Sequence, residues 1–218
     1  MVRGKLGRRF MGVRTGMSNA YTIERPYENL ARTISDVTSP PVLAIPGLIL
    51  AVVGSDVPGT YRFAMVYFIL GVIGPVVYVL WLLKSGRIDD FHLPVRKDRI
   101  RPFLASLFCS LLAISLIIAF DAPSSFLAPV VALFLQTSLL FGITLVWQIS
   151  VHTATVAGMA TFAVLALGPL AAVFLPLVPL VAWARVYLGR HTVSQCIAGA
   201  SLGCLCFLGL FAMRGWIW

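Results

Sequence analysis

Residues 61–83, YRFAMVYFILGVIGPVVYVLWLL, decide what kind of protein this is. The run carries a single charge, Arg62, next to its first residue. Wound as an α-helix at about 1.5 Å per residue it reaches roughly 34 Å, enough to cross a hydrocarbon core of about 30 Å. A helix also satisfies its own backbone hydrogen bonds, which lipid cannot do for it. Gly71, Gly74 and Pro75 in the middle allow close packing or a bend.

The rest of the chain follows this pattern. It is 59% hydrophobic and only 11% charged, against about 25% charged in soluble domains. Further apolar runs cover residues 103–120, 126–148 and 192–213, the last followed by Arg214, Trp216 and Trp218. Gln136, Thr137, Ser138 and Thr144 within the second of these are candidates for interhelical hydrogen bonds. Residues 41–57 are shorter and hold Pro46, so they either span with a kink or re-enter. Gly168-Pro169 interrupts residues 151–184, which form one broken helix or a hairpin of two. The expected fold is therefore all-α: a polytopic transmembrane bundle of about six helices over residues 41–218, preceded by a basic arm over residues 1–40. The four cysteines lie inside apolar runs without metal-ligand spacing and are expected to pack there.

Charge gives an orientation. Fifteen of the seventeen Lys and Arg fall in the arm, the loop from Lys84 to Arg101, and the Arg185–Arg190 stretch. The positive-inside rule places these in the cytoplasm, in a plasma membrane of prokaryotic type, with the arm against anionic headgroups. Arg8-Arg9 lacks the apolar region an export signal needs. Nucleic acid would also suit the arm's charge but is not an expected partner.

Three chemically loaded places then fall on one side, because even numbers of crossings separate them. Residues 184–195, ARVYLGRHTVSQ, are the richest. If His191 begins a helix, Gln195 four residues on shares its face and can orient the ring. Arg185 and Arg190 can hold an anion beside it. A histidine, an orienting partner and an arginine are the parts of nucleophilic phosphoryl transfer. The second place is Ser150-Val151-His152, at the junction of two apolar runs, and the third is residues 91–102, dense in cations. His92 there is an interfacial candidate. Asp89, Asp90 and Asp98 suggest a magnesium–diphosphate site but lack a second acidic cluster, which favours a solvated helix end.

Arg101-Pro102, then Ser150 and His152, then Arg185, His191 and Gln195, in that order and spacing, resemble the three motifs of the type 2 phosphatidic acid phosphatase (PAP2) superfamily. The resemblance covers about half the chain, from Arg96 to Gln195. It implies an integral-membrane phosphatase acting on a lipid phosphate or polyprenyl diphosphate, with no metal or other cofactor. His191 would take the phosphoryl group as nucleophile, and His152 would protonate the leaving oxygen. Arg101, Arg185 and Ser150 would bind phosphate, with Arg96 and Lys97 standing in for the family's lysine, whose place Pro94 holds. Val151 replaces a glycine, Ala184 a serine, and Gln195 the aspartate that orients the nucleophile. A neutral amide can accept a hydrogen bond but cannot offset an imidazolium. The alternative is thus a catalytically impaired lipid-phosphate binding or transport protein.

Overall fold

In the computed structural model residues 26–88 and 96–213 are described, the side chains of residues 96, 210 and 213 excepted. All regular structure among them is helical. The membership of an all-helical bundle is thereby borne out, and Asp89, Asp90, His92 and the arm before residue 26 lie outside the described residues.

Helix α1 (Glu28–Val37) is amphipathic and buries Ala31 and Ser35. Although composition groups it with the basic arm, it packs on the bundle. After a 46° bend, α2 (Pro40–Val53) runs inward. It starts with two prolines in its first turn, where their missing N–H groups cost nothing. Helix α3 (Tyr61–Lys84) returns. Its turns Phe68–Ile73 widen to π geometry just before Pro75, which has no N–H to give the carbonyl four residues back. The α4 helix (Ile100–Ala119) follows a 3₁₀ turn at Arg96–Arg99, and α5 (Ser124–Thr144) follows a tight turn at residues 120–123.

Residues 151–184 are a hairpin. Helix α6 (Val151–Leu167) stops at Gly168, a 3₁₀ segment (Pro169–Phe174) reverses the chain, and α7 (Leu177–Tyr187) climbs back. The final helix, α8 (Val193–Met213), starts beside the start of α6: the Ser150 N–H donates to Gln195 O at 3.1 Å. The two then descend in parallel. A Cβ on Gly199 would collide with the Ser150 carbonyl, and one on Gly203 with the Ala154 carbonyl, so only glycine allows this approach.

Four stretches are long and apolar enough to cross a membrane: α3, α4 with the turn before it, α5, and Pro169–Tyr187. The bent α1–α2 pair makes a fifth. About six were expected, and the difference lies in α6 and α8, whose described apolar stretches are shorter. Nine of the 17 residues of α6 are buried. A helix shielded by neighbours need not match the hydrocarbon thickness. Elsewhere large apolar side chains such as Ile49, Phe108 and Leu205 face outward, as they do when the solvent is lipid.

Of the anticipated interhelical bonders, Thr137 and Ser138 donate to carbonyls of their own helix, Leu133 and Phe134. Gln136 Oε1 and Thr144 Oγ1 are buried without a partner among the described residues.

The α6–α8 contact gives a direct test. Gly203→Ala drives a methyl group into a carbonyl oxygen and should cost about 1–3 kcal/mol, the usual penalty of overpacking. Gly209→Ala, with nothing within 4 Å of the added carbon, should stay close to the parent. Unfolding midpoints of the two variants in detergent measure the difference.

Candidate active site

The loop between α7 and α8 is built from two helix caps. Helix α7 ends in a Schellman motif: Arg190 N–H donates to Arg185 O at 3.0 Å and Gly189 N–H to Val186 O at 2.9 Å. Gly189 takes φ +66°, a left-handed conformation that a side chain would strain. The same Arg185 carbonyl accepts from His191 N–H at 3.3 Å. Arginine and histidine six residues apart are thus the two ends of one turn.

Helix α8 begins in a capping box. Gln195 N–H donates to Thr192 Oγ1 at 3.3 Å, and Gln195 Oε1 accepts from Thr192 N–H at 3.1 Å. His191 stands before the helix rather than in its first turn. Gln195 reaches it by folding back over the cap, with Oε1 3.1 Å from His191 Nδ1. The Thr192 N–H identifies this end of the amide as the oxygen. Nδ1 must therefore carry the proton, leaving Nε2 with a bare lone pair. No hydrogen bond from a described residue reaches Nε2.

His191, His152, Arg185 and Arg99 all line one cavity of about 560 Å³. His152 is the second residue of α6 and half-buried. Arg185 is 2% exposed. Its Nη1 donates to Ser35 Oγ at 2.7 Å, while its Nε is buried without an acceptor among the described residues. Ser35 comes from α1, and no motif in the sequence singles it out. The only signal for it is the amphipathic pattern of residues 28–37. Asp36 beside it is the one acidic side chain lining the cavity among the described residues.

From the segment before α4 it is Arg99, not Arg101, that is buried against the cavity. Helix geometry explains this. Pro102 lines the cavity, and a residue three positions away shares its face, whereas the adjacent Arg101 is turned by about 100°. Arg101 and Lys97 are exposed and do not line it. The side chain of Arg96 lies outside the described residues. Ser150 is fully buried but is not in the cavity wall; its hydroxyl caps α6 by accepting from Thr153 N–H at 3.3 Å.

The electrostatics favour an anion. Arg190 stands close enough to Arg99 and Arg185 to repel both, and among the described residues of the cavity wall only Asp36 opposes them. Burial, then Arg185, then Arg99, hold His191 down to a pKa of about 4, against a smaller upward pull from the Gln195 bond. At neutral pH the ring is uncharged and its Nε2 is available as a nucleophile.

This state is measurable without turnover. Ring-labelled histidine NMR should show one imidazole titrating near pH 4, and His191→Ala should remove that signal. Gln195→Asp places a negative charge beside the ring and should raise its midpoint, because a neighbouring anion favours the protonated form. A His191 midpoint at or above the ordinary 6.5 in the parent protein would contradict the burial and crowding described.

A family model of the PAP2 superfamily matches residues 98–218, more than half of the chain and including His152, Arg185 and His191. No curated protein and no solved structure matches it. By this match, the chain belongs to the PAP2 superfamily.

Proposed function

We propose that the protein is an integral-membrane phosphatase that hydrolyses a lipid phosphate or diphosphate through a phosphohistidine on His191. The superfamily includes phosphatases acting on lipid phosphates. The observation that carries the reading is the pairing of an unprotonated His191 Nε2 with two buried arginines and a second histidine on one cavity. Binding a phosphate needs only the arginines; two histidines beside them suit turnover.

In the first step the Nε2 lone pair attacks phosphorus. The bond from phosphorus to the leaving oxygen breaks, the lipid oxygen of a monophosphate or the bridging oxygen of a diphosphate, and that oxygen takes a proton from His152. In the second, His152 removes a proton from water as the water attacks the phosphohistidine. The P–N bond breaks, inorganic phosphate leaves and both histidines are restored. Arg185, whose Nε has no acceptor among the described residues, and Arg99 face the charge that develops on the phosphoryl oxygens. Ser35 fixes the angle of Arg185. Arginines thus supply the neutralisation that a divalent ion supplies in other phosphatases. Among the described residues no three His, Cys, Asp or Glu side chains cluster as metal ligands. The positive-inside count supports a cytoplasmic mouth for the cavity.

One observation favours a second reading, a binding or transport protein with lost turnover. Gln195 fixes the tautomer of His191 but brings no charge against the ring as it takes the phosphoryl group. In serine proteases the comparable loss of a carboxylate lowers kcat by about 10⁴.

Detergent-solubilised protein offered a panel of lipid phosphates with EDTA present separates the two. Release of inorganic phosphate, inhibited by vanadate and abolished by His191→Ala, is the expected result. His152→Ala should slow substrates with poor leaving groups more than those with good ones. Lipid binding without phosphate release, in the parent and in Gln195→Asp alike, would establish the binding protein instead.

A further inference from the structure

The cavity is larger than a phosphate requires. It continues from His191 and Arg185 down between α2, α3, α4 and α5 to Phe162 and Phe207. Its lower walls are mostly apolar, and the hydroxyls of Ser106 and Thr137 on them donate to carbonyls of their own helices, Pro102 and Leu133. Gln136 does not fit that pattern. It lines the cavity at 1% exposure, and its side chain makes no hydrogen bond to any described residue. Its Oε1 is enclosed against Gly158, 2.6 Å from where a Cβ there would stand. A Cβ would stand where a Gly158 Cα–H points, so that C–H faces this end of the amide, and an oxygen accepts it where an NH₂ would not. The end left for the cavity is Nε2, which has no acceptor among the described residues. Polar groups so deeply buried are normally paired, and what pairs this one must come from the contents of the cavity.

Depth narrows the choice. Gly158 lies six residues along α6 from His152, about 9 Å at the helical rise. In a diacylglycerol phosphate an ester carbonyl lies some six bonds from phosphorus, roughly 7–8 Å when extended. A phosphate held at His191 would bring that carbonyl to the level of Gln136. A prenyl chain has only hydrocarbon at this depth and would leave the amide dry and unpaired. Sites built to hydrogen-bond a substrate group discriminate strongly against analogues without it.

We infer that Gln136 is a specificity-determining residue that donates Nε2–H to an acyl ester carbonyl, making ester-linked glycerolipid phosphates, rather than polyprenyl phosphates, the substrate class of this site. The inference rests on the phosphatase reading above. Tyr67 and Ser110, whose hydroxyls lie 3.4 Å apart on the facing helices, add polar groups to the same chamber.

The test compares dioleoyl phosphatidate, its dialkyl ether analogue and a polyprenyl phosphate in mixed micelles, with the parent protein and Gln136→Leu. The parent should favour the diacyl over the dialkyl lipid by about tenfold in kcat/KM, the worth of one hydrogen bond, and the polyprenyl phosphate should be poorest. In Gln136→Leu the diacyl-to-dialkyl ratio should fall to near one. An unchanged ratio, or a parent protein that prefers the polyprenyl phosphate, would overturn the inference. Should the parent release phosphate from none of the three, the phosphatase reading itself fails. Equilibrium binding of the diacyl and dialkyl lipids to His191→Ala, with and without Gln136→Leu, then reads the same ratio: a preference for diacyl lost with Gln136 sustains the inference, and equal binding of the two lipids ends it.

Discussion

Everything in this molecule depends on how closely α6 and α8 approach. Gly199 and Gly203 let the backbone of one helix lie against carbonyl oxygens of the other. Polar bonds then join the same ends: Ser150 N–H to Gln195 O, and Thr153 Oγ1 to Cys196 O at 3.0 Å. In lipid there is little hydrophobic force between helices, so packing and hydrogen bonds must hold them. The contact also does something chemical. It brings the start of α6, with His152, beside the start of α8, with His191 just before it. Two residues far apart in the chain come to line one cavity because two helices share a register.

Around that axis the remaining elements deliver cations and exclude water. The α4 segment brings Arg99, α7 brings Arg185, and α1 lies across the latter so that Ser35 can hold it. Tyr27 of the α1 approach packs edge-on to Trp183 and Tyr187 of α7, at centroid distances of 6.4 and 6.5 Å. A segment that composition marks only as charged is thereby tied to the bundle.

The membrane class, the hairpin alternative and the convergence of residues 150–152 with 184–195 were legible in the sequence because each rests on something local: an apolar run, a Gly-Pro break, a spacing of charged and ring side chains. What was not legible depends on rotation and partners. Arg99 and Arg101 differ only in which way α4 turns, which the neighbouring Pro102 shows once its face is known. Ser150 looked like a phosphate ligand by its place in a motif, yet as the residue before a helix its hydroxyl serves that helix. Gln136 reads as an interhelical bonder in any apolar run. Only the space beside it shows that no helix supplies a partner. Ser35 had no local signal beyond the amphipathic pattern of α1, since its role exists only where α1 meets α7.

The α7–α8 loop has one further consequence. A helix cap closes each side of His191, and the backbone between them has almost no torsional freedom left. The entropy of ordering the nucleophile is thus met when the chain folds, not when substrate arrives. The imidazole waits in its reacting orientation, and binding free energy remains available for the lipid.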